Sequence, residues 1–473
     1  MEQLRLSDNV RIVSRGGDHA VYHSLYGRLC LTDAEGLAFL ESFRGDAGRS
    51  WDASGDRRQA EFLRALRERW FVVPVGFDET APIRQDKARR EAILERGGLV
   101  RGLQLVLTSQ CNFRCTYCFA STLPAPASGN GARATSMTPA FAVSSVSAFV
   151  DLARRNGMPA LGIEFFGGEP LVNWPAIAMV LHAHGNGPQY GMGLYYSVTT
   201  NASLATDEMA SVLRAYGVTV TVSYDTPGNP ARRLRGGQSA AAAIDRGLAL
   251  FARHQVPLTL NSVVNGSTIE TFDPAGLVAV ARAHGASVIG LILDLDTAAY
   301  ANEATMKAVA DAVLETCREA RRAGIAVTGY WHQIFEQILG RQPLNLQKGF
   351  KTCAAEGCKL SVKPDGEIFV CECCATPMGH VSDLGAVLRS AAYRAYAFKA
   401  YEGAPSCRGC ALEGFCSGVC MGSLEKAHGE LYVCEPHACR LYQELTRRLI
   451  LELPAGEVEH LDLAAPASAG RPS

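Results

Sequence analysis

The residues most able to do chemistry in this sequence are its cysteines. Directly after an apolar, strand-like run comes Cys111-Asn-Phe-Arg-Cys115-Thr-Tyr-Cys118, a C-x3-C-x2-C spacing. Three thiolates on one loop can hold three irons of a 4Fe–4S cluster and leave the fourth iron open to an outside ligand. A structural zinc site closes a set of four ligands, and this loop offers no fourth. The chain carries 16 cysteines in all. Cys30 and Cys317 stand alone, and the others fall near residue 111 or between 353 and 439.

Composition argues against a disulfide framework. The N-terminus, MEQLRLSDNVRIV, lacks the apolar core of a signal peptide. No run approaches the roughly 18 apolar residues of a membrane span. The chain therefore reads as cytoplasmic, with no membrane partner, in a compartment that keeps thiols reduced. Many cysteines in such a protein point to metal. The 473 residues are 48% hydrophobic, enough for a large core, and a net charge of −1 gives no support for a nucleic-acid partner.

The elements that must position these cysteines follow from the pattern. Residues 1–95 read as a winged-helix-like α+β unit of two or three strands and about three helices. It has a hairpin over His19–Leu31, a helix opened by Thr32-Asp33, and another around Arg57–Trp70. From residue 96 to about 335, strand-like runs alternate with helical ones. The strands are Leu103–Thr108, Gly162–Phe166, Leu194–Thr199, Val218–Ser223, Leu258–Val264 and Val288–Leu293. Six β/α units in series predict an α/β fold with a partial barrel, whose chemistry collects where strands end. Ser121–Ser136 reads as a loop rich in Pro, Gly, Ala and Ser. The cysteine-dense part spans 336–453, and 454–473 is expected to be a disordered tail.

The cysteine loop closely resembles the signature of the radical S-adenosylmethionine (SAM) superfamily, including the aromatic residue before the third cysteine. The resemblance implies a partial (β/α)6 TIM-like barrel, with Cys111, Cys115 and Cys118 holding a cluster whose open iron binds SAM. Tyr117 is then expected to lie against the adenine. Gly167-Gly168-Glu169-Pro170 at the end of the second strand resembles the motif that binds the SAM amino group. Asn201, in Thr199-Thr-Asn-Ala, matches the family's TNG stretch with alanine in place of glycine. Ser223-Tyr-Asp225 resembles its S-x-D-G-P element, with Thr226 in place of glycine. Ser223 and Arg235 are candidates for the SAM carboxylate, with Arg232 and Arg233 competing.

The C-terminal cysteines resemble a SPASM domain, an extension that carries two auxiliary 4Fe–4S clusters in peptide-modifying relatives. That pattern assigns Cys353, Cys358, Cys371 and Cys420 to the first cluster. Cys407, Cys410, Cys416 and a late cysteine go to the second, Cys434 being preferred to Cys439. Three clusters and SAM are thus the expected cofactors. Cys373 and Cys374 are left over. Glu372 occupies the place where sulfatase-maturing relatives carry an aspartate base, which makes it the candidate catalytic residue. The N-terminal unit resembles the recognition element that binds leader peptides of ribosomally made, post-translationally modified peptides.

The expected function is therefore oxidative maturation of a precursor peptide with a leader, through a thioether, C–C or C–O link or another oxidation. A flavodoxin- or ferredoxin-type protein is the expected electron donor. A formylglycine-generating oxidase of the sulfatase-maturation type is the alternative enzyme. A zinc or iron–sulfur module without catalysis is the alternative of another class.

Overall fold

The computed structural model describes residues 2–51, 56–118, 135–228, 231–293, 297–341, 356–402, 404–454 and 456–463. The first unit runs β1 (Glu2–Leu6), β2 (Val10–Arg15), β3 (Asp18–His23), β4 (Gly27–Thr32), α1 (Ala34–Glu41), β5 (Arg49–Trp51), α2 (Arg57–Glu68), β6 (Val72–Pro74) and α3 (Ala81–Leu94). The hairpin and the helix after Asp33 form as the sequence predicts. Asp33 caps α1 by accepting from Gly36 N at 2.7 Å. The strand count does not hold, because six strands form two sheets instead of two or three forming one. β1 pairs antiparallel with both β5 and β6, and β2, β3 and β4 make a meander. The three-residue strands β5 and β6 are too short to show a period, and only distant partners make them strands.

One buried carboxylate ties this unit together. Glu79 accepts from Ser7 Oγ at 2.5 Å and Asn9 Nδ2 at 2.9 Å, and it meets His23 Nε2 at 3.0 Å. Burial pushes its pKa up, but hydrogen bonds from His23, Asn9 and Ser7 outweigh burial and hold it near 2.

The central part alternates strand and helix. Its elements are β7 (Gly102–Val106), α4 (Pro139–Arg155), β8 (Ala160–Phe166), α5 (Trp174–His184), β9 (Gly193–Thr200), α6 (Asp207–Ala215), β10 (Thr219–Ser223), α7 (Ala241–Arg253), β11 (Leu258–Val263), α8 (Pro274–Ala283), β12 (Val288–Ile292), α9 (Glu303–Ala323), β13 (Ala326–Thr328) and α10 (Tyr330–Ile338). β7 to β13 lie side by side in chain order, and each neighbouring pair is parallel. The six expected strands are all there, and β13 adds a seventh. Sequential parallel pairing directs every strand's C-terminal end to the same rim.

The cysteine-rich part joins that sheet. β14 (Lys359–Val362) pairs in parallel with β7, and β15 (Glu367–Phe369) and β16 (Gly379–His380) follow antiparallel. α11 (Leu384–Arg389), α12 (Ala391–Glu402), α13 (Met421–His428) and α14 (Pro436–Leu451) come next. The chain after Leu453 differs from the expected tail: β17 (His460–Leu461) pairs in parallel with β4. Two buried leucines, Leu461 and Leu463, give the segment something to bury. Among the described residues no helix is long and apolar enough to cross a membrane. The predicted loop over Ser121–Ser136 lies outside the described residues except for its last two positions.

A close contact joins α7 to the rim. A Cβ on Gly247 would stand 2.1 Å from the carbonyl oxygen of Ala202, in the turn after β9. Alanine normally improves a helix interior by about 1 kcal/mol over glycine. Gly247→Ala is expected to do the reverse here and destabilise by about 1–3 kcal/mol through overpacking. Chemical denaturation of both forms checks the sign.

Candidate active site

The cysteine loop leaves β7 at the rim and is held there by backbone bonds to two neighbouring loops. Gly168 N donates to Thr108 O and Glu169 N to Gln110 O, both at 2.8 Å. A Cβ on Gly167 would lie 2.4 Å from Thr108 O, and one on Gly168 would lie 2.3 Å from Gln110 O. Only glycine permits this approach. On the other side Arg114 N donates to Arg233 O at 2.8 Å, Thr116 N to Ala231 O at 3.0 Å, and Arg235 N to Asn112 O at 3.2 Å. The segment 231–235 is thus zipped to the cysteine loop.

Glu169 is also engaged within the protein. Its carboxylate is buried and takes three donors from the protein: Thr200 Oγ1 at 2.6 Å, Asn201 N at 2.7 Å and Leu171 N at 3.0 Å. It therefore braces the turn after β9. Asn201 in turn donates from Nδ2 to Asn112 Oδ1 at 2.9 Å, with Cys111 Sγ 4.0 Å away. Ala202, where the family pattern has glycine, sits at φ +62°. That left-handed conformation costs an alanine roughly 1–2 kcal/mol.

The arginines separate clearly. Arg232 is buried and grips Asp225 with two bonds, Nε to Oδ2 at 2.9 Å and Nη2 to Oδ1 at 3.0 Å. The Tyr117 hydroxyl also donates to Asp225, and the Arg232 guanidinium lies 5.4 Å from the centre of the Tyr117 ring. Asp225 is anchored further by Val263 N at 3.0 Å. Arg235 instead is exposed and donates to Cys111 O at 2.7 Å, bracing the loop. Ser223 ends β10, partly buried, opposite Asn261 of β11. Asp225 is thus a hub for Tyr117 and Arg232, which the sequence alone did not connect.

In the C-terminal part, Cys353 lies outside the described residues. Cys358 is buried just before β14, near the Arg90 guanidinium. Cys373, left over in the sequence reading, is hydrogen-bonded to both Cys371 and Cys420. Its bond to Cys371, aided by Lys359, outweighs burial and lowers the Cys371 thiol to about 6. The second group gathers five thiols. Cys434 and Cys439 have their sulfurs 3.2 Å apart, and Cys407, Cys410 and Cys416 interact electrostatically with one or both of them. Both late cysteines therefore stand at the site. Cys30 and Cys317 lie apart from these groups, and burial pushes each thiol up to about 12.

Glu372 is buried between the two parts. Its N–H donates to Gln104 Oε1 on β7 at 3.3 Å, and Cys373 Sγ is 3.8 Å from its Oε1. Its Oε2 is buried without a hydrogen-bond partner. Burial, then the neighbouring Cys371, push the carboxyl well above the usual range, against Lys359. Gln104 donates to Glu164 Oε2 at 3.0 Å, and Lys359 pairs with the same oxygen at 2.9 Å. Sequence reading missed Gln104, Glu164 and Lys359. For Gln104 and Glu164 the available signal was a polar residue at matched positions of otherwise apolar parallel strands; Lys359 stands opposite Gly102 and gave no such signal.

The donor set suits iron–sulfur clusters. Burial pushes the Cys111 and Cys115 thiols up, Cys115 to about 11. Crowded, part-buried thiols such as these become thiolates when a cation neutralises them, as iron does.

The loop lies on the rim of a parallel sheet, as the radical SAM resemblance implies. Residues 105–275 match the Radical SAM superfamily, and the protein is an enzyme. The radical SAM cyclopropyl synthase TigE of Paramaledivibacter caminithermalis is 29% identical over 458 residues, covering 95% of this chain and 96% of its own. The structure of anSMEcpe with bound AdoMet and Cp18Cys peptide is similar with a TM-score of 0.59 and 18% identity, over 74% of this chain and 97% of that one. Streptococcus suis SuiB bound to precursor peptide SuiA gives 0.52 and 15%, over 92% and 100%. At these identities the two structures establish likeness of fold.

Glu169 carries a pH dependence. Burial raises its pKa from 4.5 to about 6, against the hydrogen bonds it accepts. Between these values the native state holds a proton that the unfolded chain has released, so stability falls as pH rises from 4.5 through 6. The size is roughly 2 kcal/mol at about 1.4 kcal/mol per unit. Urea titrations across this window should show that slope in the native sequence and its loss in Glu169→Gln.

Proposed function

We propose that this enzyme modifies a ribosomally made precursor peptide, abstracting hydrogen from it with a 5′-deoxyadenosyl radical. The observation that carries this reading is the position of Glu372, which joins the cysteine-rich part to the interior of the barrel. We assign Cys111, Cys115 and Cys118 to the SAM-binding cluster. Cys353, Cys358, Cys371 and Cys420 are assigned to one auxiliary cluster, and Cys407, Cys410, Cys416 and Cys434 to the other, with Cys439 able to replace Cys434. When bound, the clusters and SAM supply the radical and an acceptor for the electron left behind.

The chain's own residues do the rest. Gly167 and Gly168 let the second loop close against the cysteine loop, Glu169 braces the Asn201 turn, and Asp225 orients Tyr117 and Arg232. Ser223 and Arg235 stand at the same rim as candidates for holding SAM. A relative named a cyclopropyl synthase matches 95% of the chain, which favours C–C bond formation among the possible links. Closing such a bond removes two hydrogens from the substrate. One leaves as an atom, and the other as a proton and an electron. Glu372 is the carboxylate assigned to that proton. The peptide reading is supported by similar folds whose structures contain peptides.

After anaerobic reconstitution, about twelve irons per chain are expected for three clusters. Reduction with SAM should release 5′-deoxyadenosine, detected by chromatography. Replacing Cys111, Cys115 and Cys118 by alanine should abolish the release; persistence would overturn the reading. Glu372→Gln should keep SAM cleavage yet lower product formation by about 10²–10⁴-fold.

The late cysteines give a separate test by iron analysis. Cys434→Ala or Cys439→Ala alone is expected to keep the full iron content, and the double variant to lose about four irons.

A further inference from the structure

The four-stranded sheet of the N-terminal unit, ordered β17-β4-β3-β2, ends on a strand drawn from the far end of the chain. Leu31 N donates to Glu459 O at 2.9 Å, and Thr32 Oγ1 donates to Leu461 O at 2.7 Å. Beyond this the side chains alternate. Leu461 and Leu463 are buried, whereas His460 and Asp462 are exposed. The two leucines enter the small core made with Val21, Cys30, Phe39, Leu40 and Phe62. Glu459 pairs with Arg69, just past α2. Main-chain bonds to an edge, with alternate side chains seated in apolar pockets, is how a folded domain takes up an extended peptide.

The opposite edge is differently placed. β2 is bridged to the C-terminal part by Arg11 Nη2 to Gly409 O and Arg15 Nη2 to Leu453 O, at 2.7 and 2.8 Å. Among the described residues the β4 edge is covered by a short segment, with two residues in register, Leu31 with His460 and Thr32 with Leu461. Its charged contacts, Glu459 with Arg69 and His460 with Asp18, are partly exposed and contribute weakly. The occupant is held chiefly by its two buried leucines and its main-chain bonds to β4.

We propose that the outer edge of β4 is a strand-accepting groove for an extended peptide, and that residues 459–463 fill it in cis and must leave before such a peptide docks. This rests on the reading of the substrate as a peptide. The occupant defines the partner's chemistry: an extended segment with apolar residues at two alternate positions and an acidic residue two places before the first of them.

The test uses a fluorescent synthetic peptide with the sequence of residues 456–463, added to the full chain and to a Leu461→Asp, Leu463→Asp variant. Anisotropy should show binding to the variant at least tenfold tighter than to the native protein, because the variant's own tail no longer fills the groove. A peptide carrying the same two aspartates should not bind. Equal binding to both proteins, or none to a folded variant, overturns the proposal. Loss of the N-terminal unit's cooperative melting in the variant also overturns it, since the tail would then be a structural strap. SAM cleavage assayed on the same samples separates the two readings: peptide exchange without cleavage leaves the groove standing and removes the radical assignment.

Discussion

A methyl group on Gly168 would stand 2.3 Å from the carbonyl oxygen of Gln110, and one on Gly167 would crowd Thr108 as closely. This contact between two loop backbones governs the geometry of the rim. It fixes where the cysteine loop leaves β7, and it sets Glu169 beneath the turn after β9. From that turn Asn201 reaches back to Asn112 in the cysteine loop. The loops at the ends of three consecutive strands thus hold one another through main-chain and buried polar bonds.

The second half of the site depends on the sheet continuing past the barrel. Because β14 pairs with β7, the cysteine-rich part does not hang from the barrel by a linker. Its first hairpin extends the same sheet. Lys359 on β14 meets Glu164 on β8, and the backbone of Glu372 meets Gln104 on β7. A buried carboxylate beside two thiols is costly to maintain, and Lys359 and Lys363 offset part of that cost.

Much of this was legible in the sequence because the relevant signals are local. The six β/α units appear as apolar runs and amphipathic stretches, and the strand expected over Leu258–Val264 forms as β11 (Leu258–Val263). The cysteine loop and the glycine pair declare themselves by spacing, since the chemistry of thiol clusters and close backbone approach admits few residue types. Long-range effects were not legible. Arg235 is marked by its interval from Asp225, and only the fold shows that its competitor Arg232 is the one drawn inside by that aspartate. Glu169 is expected at the SAM amino group, and only the fold shows that it also braces the turn after β9, through Thr200 and Asn201, which sequence places far from it.

The sequence by itself determined the spacing of the thiols, the succession of the strands and the loops on which the site sits. These depend on residue type and on periods of a few residues. The tertiary structure decided the partnerships. It brought five thiols rather than four to the second C-terminal group, set Cys373 between Cys371 and Cys420, and returned residues 460–461 to the edge of β4. Each of these is a meeting of segments far apart in the chain. Pairing at an edge or around a buried charge is chosen by which groups are left unsatisfied once the core has formed, and no local pattern records that choice.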